Sequence, residues 1–257
     1  MDFALNEIQQ ELKSQAREWA AARYPLDRDW DAPQDDRWTE LGELGWLDVA
    51  EAELGFVEEA LLLEELGYAL YPGPYLAHVT GQNDVFGPGG ELETVDSTRP
   101  LKRLPNGSDE SPRLRAGIAA EAVGVAQRVL ELGIEHATTR MQFGKPIGQY
   151  QAVSHQLADT YTDVELSRSL AYWAAWCVAE DDEQAAVAAA AAKAFATDAA
   201  VAACERSIQV HGGTGFTWEH PLHRFYKRAL WLEGFGTRPS ELRLEVADAI
   251  LGAEVPA

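Results

Sequence analysis

The chain has 257 residues, 46% of them hydrophobic, with 42 acidic against 21 basic side chains and a formal net charge of −21. That length and apolar content can build one large core or two small ones, and they exclude a globally disordered chain. The charge excludes a basic face for nucleic acid or for an anionic membrane, so any phosphate must be met by locally placed Arg, Lys or backbone N–H groups.

The N-terminal stretch MDFALNEIQQ lacks the basic-then-apolar order of a secretion signal. Leu5, Ile8, Leu12, Ala16 and Trp19 recur at helical spacing and mark a first helix ending near Tyr24-Pro25. A second, short helix lies within Trp38 to Val49, with Leu41, Leu44 and Trp46 as its apolar side. A third spans about Gly55 to Leu70, with Val57, Leu61, Leu62 and Leu66 inward, and stops before the breaker Pro72-Gly73-Pro74. Periodicity then disappears. Residues 78–112 carry Gly81, Gly87, Pro88, Gly89, Gly90, Pro100, Pro105, Gly107 and Pro112, the composition of a linker, with short strands expected around Glu91 to Val95 and Leu101 to Leu104.

From Arg113 the helical signal returns. Ile118, Ala122, Val125, Val129, Leu132 and Ala137 outline a long helix, and Gly144, Pro146 and Gly148 break it. A second long helix runs from about Gln151 into the region of Cys177. A third, rich in alanine, runs from Glu183 to about Val210 and stops at Gly212-Gly213, and a last one covers approximately Glu241 to Leu251. The expected architecture is predominantly all-α: an N-terminal helical domain over 1–77, a linker over 78–112, and an antiparallel four-helix bundle over 113–257. The apolar run Ala185 to Ala192 is too short to span a membrane. Cys177 and Cys204 have no metal-ligand spacing and read as buried free thiols in a reducing compartment, so a soluble cytoplasmic protein is expected.

Two stretches carry residue types suited to a phosphate-bearing ligand. The first is Arg140-Met141-Gln142-Phe143-Gly144-Lys145-Pro146-Ile147-Gly148, followed by Gln151-Ala152-Val153-Ser154-His155. An arginine fixed at a helix end before a tight turn can grip a pyrophosphate bidentately, or it can satisfy the last carbonyls of its own helix. Phe143 can cover a ring or plug the core. The second stretch is Gln209-Val210-His211-Gly212-Gly213-Thr214-Gly215-Phe216, followed by Glu219-His220-Pro221-Leu222 and Tyr226-Lys227-Arg228. Its glycines permit positive φ and close approach of backbone to a ligand, or they simply end a helix. Gln209 can hydrogen-bond a nucleotide or cap its helix. His155 and His211 read as structural, and no metal cluster or nucleophile triad stands out.

In this order and spacing the two stretches resemble the signature regions of the acyl-CoA dehydrogenase superfamily. The segment Trp38-Thr39-Glu40-Leu41-Gly42-Glu43-Leu44-Gly45-Trp46, with Glu64-Glu65-Leu66-Gly67 and Pro72-Gly73-Pro74-Tyr75, is similar to that family's N-terminal helical domain, in particular to bacterial subunits linked to steroid side-chain oxidation. The resemblance implies FAD as cofactor. It would place Arg140 and Gln142 on the pyrophosphate, Phe143 beside the cofactor, Gln151 near the adenine half, and Gln209 with the Gly212-Gly213 backbone on a flavin held mostly by a neighbouring subunit. Thr237 matches the threonine of the family's Glu-Gly-Thr segment.

The same resemblance exposes two departures. The family's middle β-domain has only the 78–112 linker in its place. The catalytic carboxylate, which in the family takes the α-proton of an acyl-CoA while hydride leaves the β-carbon, has no obvious counterpart. In Leu232-Glu233-Gly234-Phe235-Gly236-Thr237, Phe235 falls at the base position, with Glu233 two residues away. At the family's second location stands Leu114, with Glu121 two turns further on. Glu233 and Glu121 are therefore the candidate bases. The expected function is a subunit of a heteromeric, FAD-dependent acyl-CoA dehydrogenase, an α2β2 assembly acting on a steroid or branched acyl chain, in which a full-length paralogue supplies the β-domain and the catalytic Glu. The alternatives are a non-catalytic scaffold subunit and a flavin-independent acyl-CoA lyase or hydratase on the same fold.

Overall fold

The computed structural model describes residues 4–30, 32, 35–49, 54–106 and 110–252. Nine α-helices follow one another among them, α1 (Glu7–Arg23), α2 (Trp38–Glu43), α3 (Phe56–Tyr68), α4 (Tyr75–Thr80), α5 (Pro112–Thr139), α6 (Gln151–Ala179), α7 (Ala185–His211), α8 (Leu222–Gly234) and α9 (Pro239–Leu251). The fold is all-α, as expected. A two-residue antiparallel pair, β1 (Met141–Gln142) with β2 (Lys145–Pro146), is its one small sheet among the described residues.

Local chemistry sets the helix starts. Asn6 caps α1 through a reciprocal capping box with Gln9. Ser111 accepts from the N–H of Leu114 at the start of α5, where Pro112 occupies the first turn at no cost in hydrogen bonds. Pro74, part of the sequence breaker, serves as the N-cap of α4, a helix too short to show periodicity.

Helices α5, α6, α7 and α8 form the bundle, with α9 laid against α7. Helix α8 corrects the expected helix inventory, in which only one short helix follows α7. Its apolar face of Leu222, Phe225, Ala229 and Leu232 is buried. Helix α7 is long and apolar enough, by length and composition, to cross a membrane. Its small side chains Ala188, Ala189, Ala192, Ala196 and Ala200 are instead fully buried at the centre of the bundle.

The N-terminal helices join this bundle through α3. A Cβ on Gly124 would lie 1.8 Å from the carbonyl oxygen of Glu64, and one on Gly67 would lie 2.4 Å from that of Glu121. The backbones of α3 and α5 therefore touch directly, which only glycine allows at both positions. Around this crossing, four acids of α3 are buried and paired. Arg17 reaches Glu65 and Arg113 reaches Glu59, while Lys13 and Arg168 hold Glu64 at 2.8 and 3.1 Å. Gln9 donates to Glu58.

The strands expected in the linker reduce to two isolated bridges, Leu92 with Leu101 and Phe86 with Leu101. Gly107 and its two successors lie outside the described residues. The linker is tied down by charge: Asp96 pairs with the buried Arg228 of α8, and Arg99 reaches Glu121 of α5 at 2.6 Å and the carbonyl of Gly73 at 2.8 Å.

Candidate functional site

Sequence-derived site residues gather at one end of the bundle. Arg140 is the C-cap of α5, its N–H bonded to the carbonyl of His136 at 2.9 Å, and its guanidinium is exposed with no ion pair among the described residues. The chain then reverses through β1 and β2, with Met141 opposite Pro146 and Gln142 opposite Lys145. The two-residue connection is Phe143 (φ 50°) and Gly144 (φ 80°), the paired positive angles that such a hairpin loop demands. A bulky residue is strained there, and Phe143 is also 92% exposed. Strain without burial gains nothing for folding, which is the signature of a residue kept for contact with something else. Tyr150 donates to the carbonyl of Gln142 at 3.2 Å, which holds the hairpin against the start of α6, where Gln151 is exposed.

Three imidazoles join the neighbouring segments. His136 of α5 stacks on His211 of α7 with ring centroids 4.3 Å apart, and His211 lies 4.6 Å from His220, just before α8. The ring of His211 is fixed by its Nδ1 contact with the carbonyl of Ser207 at 2.8 Å. Burial, with its histidine neighbours adding to the effect, pushes His220 down to about 4. His211 is thus a structural coupler that ties the end of α7, which carries the exposed Gln209 and leads into the Gly212-Gly213 turn, to α5 one turn before Arg140. A Cβ on Gly144, Gly212 or Gly213 would meet nothing within 4 Å, so the backbone at all three is open to a ligand. Phe216 and Trp218 are exposed on the same loop. An uncompensated guanidinium, a glycine turn open to close approach and an unburied aromatic ring fit the phosphate half of FAD and its margin.

Thr237 stands apart from this group. It lies beyond the far end of α8, roughly 20 Å of helix away from His220. There a cavity of about 640 Å³ opens between the linker and α8, walled by Val95, Leu101, Leu104, Trp231 and Phe235. Its buried carboxylate is Glu110, which the sequence reading missed. Lys193, a lone lysine in the alanine-rich α7, is fully buried against it, and donates also to the carbonyls of Phe235 at 2.6 Å and Thr237 at 3.0 Å. The other oxygen of Glu110 accepts from the N–H of Thr237 at 2.9 Å and from Arg115 at 3.4 Å. Burial alone would raise the Glu110 carboxyl, but Lys193 and Thr237 hold it below its usual range. A carboxylate so engaged is a brace for the 235–237 turn and a poor proton acceptor.

Neither candidate base faces this cavity. Glu233 lies in a separate shallow cleft with Asp198, Arg238 and Arg243, where burial and the charges of Asp198 and Glu205 push it up. Glu121 is buried between Arg99 and Arg228. Nor do the described residues include a group of three or more His, Cys, Asp or Glu able to hold a metal ion.

Comparison with known proteins places this geometry. Residues 112–247 match the family model described as acyl-CoA dehydrogenase, C-terminal domain, and residues 6–87 match the acyl-CoA dehydrogenase N-terminal domain. The chain is similar to acyl-CoA dehydrogenase IpdE2 of Mycobacterium tuberculosis, 40% identical over 146 residues that cover 54% of this chain and 44% of that protein. It is similar also to acyl-CoA dehydrogenase FadE34 of the same organism, 44% identical over 119 residues that cover 46% of this chain and 17% of that one. The matched stretches span less than half the length of these curated relatives. Among solved structures, the ChsE4-ChsE5 complex from Mycobacterium tuberculosis aligns with a TM-score of 0.78 at 21% identity over the whole of both chains. A Tcur3481-Tcur3483 steroid ACAD variant aligns with a TM-score of 0.76 at 22% identity, covering 96% of this chain and 98% of that one. At those identities the likeness is one of fold.

Proposed function

The chain belongs to the acyl-CoA dehydrogenase family, and on that premise we propose that it is one subunit of a heteromeric, FAD-dependent acyl-CoA dehydrogenase that desaturates an acyl-CoA thioester in the cytoplasm. A paralogous full-length subunit supplies the β-domain and the catalytic carboxylate, in an α2β2 assembly. The observation that carries this is a mismatch within one molecule. The end bearing Arg140, Gly212 and Gly213 is open and ready for a flavin phosphate, whereas the cavity beside Thr237 has Phe235 on its wall and a carboxylate already neutralised by Lys193.

The chemistry a bound FAD supplies is hydride acceptance from the β-carbon of the thioester. This chain's part is binding and enclosure. Arg140 would pair with the pyrophosphate, the open backbone at Gly212 and Gly213 would let it approach closely, and Phe143 would keep water from its edge. Abstraction of the α-proton needs a carboxylate over the α-carbon, and that group comes from the partner. Two structural neighbours, one a two-protein complex and one a steroid ACAD, support both the paralogous partner and a bulky acyl chain such as a steroid side chain.

The test is the visible absorption spectrum of the chain alone and co-expressed with a full-length paralogue. Flavin bands confined to the co-purified complex, and bleached by acyl-CoA, are expected. Arg140→Ala should abolish flavin content and leave the complex intact. Flavin bound by the lone chain would sink the shared-site account, and a colourless, stable complex would favour a scaffold role instead.

A further inference from the structure

The stack of His136, His211 and His220 joins the ends of three helices, and its hydrogen bonds fix where its protons sit. The carbonyl of Ser207 can only accept, so Nδ1 of His211 is the donor in their 2.8 Å contact. At His220 the roles are reversed. The N–H of Leu222 donates to its Nδ1 at 3.3 Å, so that nitrogen carries no proton. Leu222 is the first residue of α8, and the N-cap, Pro221, has no side-chain acceptor to offer. The His220 ring takes the cap's role.

This arrangement refuses a proton at one place in particular. A proton on Nδ1 of His220 turns the acceptor into a donor aimed at another donor. It also sets a cation against the positive end of α8. His136 and His211 stand in the last turns of α5 and α7, where a cation is favoured, so His220 is the member of the stack that must stay neutral. The charged and titratable groups bearing on the three rings are Glu135 and Arg140 from α5 and His223 from α8. Glu135 acts on His211, and Arg140 and His211 oppose a charge on His136. His223 and the two stacked imidazoles oppose one on His220, whose chief burden is burial.

The ring also holds something in place. Gly215 anchors the first half of the loop to α7, since a Cβ there would lie 2.7 Å from the carbonyl of Ile208. The second half carries the exposed Phe216 and Trp218 and returns to the bundle at His220, 4.6 Å from His211. Trp218 stacks on His223 with centroids 4.4 Å apart, so it follows the start of α8. We propose that His220 is an acid-released latch: while neutral it pins the 216–221 segment to the ends of α5 and α7, and a proton on its Nδ1 frees that segment, with Phe216 and Trp218, from the bundle. The latch does not rest on the flavin reading, and it adds to that reading a means by which acid alters the end where the glycine turn lies.

The test is amide hydrogen exchange of the purified full chain, read by mass spectrometry over 216–225 at pH 7.5 and 5.0 and corrected for the intrinsic pH dependence of exchange. A closed state that holds His220 near 4, against 6.5 once the ring is free, takes up one proton on opening, so exchange of this segment should rise roughly thirtyfold. Exchange in the buried middle of α5 should not change. The ring-proton NMR signal of His220 should titrate below 6.5. His220→Gln keeps an acceptor for the Leu222 N–H and cannot be charged, so its exchange should stay slow at both pH values. No rise in the wild type, a rise shared equally by α5, a His220 ring that titrates at 6.5, or a wild-type rise in His220→Gln would each overturn the proposal. All of these are read on the chain without flavin, so failure of the latch and failure of the flavin reading are told apart.

Discussion

Lys193→Met removes the one ammonium that braces the cavity turn. In the wild type its Nζ bonds the Glu110 carboxylate and the carbonyls of Phe235 and Thr237, and all of this is buried. Methionine fills the same volume but leaves Glu110 nearly sealed from solvent, with Arg115 at 3.4 Å as its remaining cation, itself shared with Glu245 at 2.6 Å. Stranding a buried charge in this way costs about 3–5 kcal/mol. For a chain of this size that is a fall in Tm of roughly 6–20 °C. Adding Glu110→Gln to Lys193→Met removes the stranded charge, so the double variant should be more stable than Lys193→Met alone, with a coupling of about 2 kcal/mol or more. Urea melts of the four proteins, followed by far-UV circular dichroism, measure this. The sign of the pH dependence follows from the same pair. Glu110, held below its usual 4.5, contributes stability that is present above that pH and lost as the pH falls through its folded value, and Lys193→Met should abolish that contribution. A Lys193→Met cost under about 1 kcal/mol, or strict additivity in the double variant, would refute the account of Lys193 as a brace.

Phe143→Asn should raise stability by about 1 kcal/mol, since asparagine tolerates the positive φ at that hairpin turn, while lowering flavin retention in the co-purified complex. A thermal melt beside an absorbance ratio reads both, and no gain in Tm would show that the turn carries no strain. His220, held near 4 against an unfolded value of 6.5, stays neutral in the folded chain where the unfolded chain takes up a proton, so stability should fall as the pH drops from about 6.5 to 4. His220→Gln should flatten that limb in melts run across the window, and an unchanged slope would remove His220 from the cause.

The helical frame was largely legible because long amphipathic runs and the Gly-Pro breaks leave few other options, and the two glycine-bearing motifs lay on the helices expected. The failures have physical causes. Helix α8 carries a regular face of Leu222, Phe225, Ala229 and Leu232, but it is only 13 residues long and follows directly on the glycine-rich stretch, where breakers and charged residues dominate the local pattern. Helix α4 is six residues long, below what periodicity can detect. The linker segments contained strand-like residues, but Gly87, Pro88, Gly89, Gly90 and Pro100 interrupt them, so pairing stops at single bridges. Glu110 and Lys193 are 83 positions apart, and only the oddity of one lysine among alanines hinted at a buried partner.

The crossing of α3 and α5 at Gly67 and Gly124 bears on how such a chain tolerates revision. Those glycines are 57 positions apart, and everything between them forms one closed loop whose ends are held by backbone contact. The entropy of closing a loop rises only with the logarithm of its length, about 0.6 kcal/mol for each doubling. Whether the span between α4 and α5 holds a short strap or a whole sheet domain is thus nearly neutral for the stability of the crossing. The join acts as a splice site: what is inserted or removed there changes which surfaces the helices show to a cofactor or a partner, while the helices themselves assemble on the same terms.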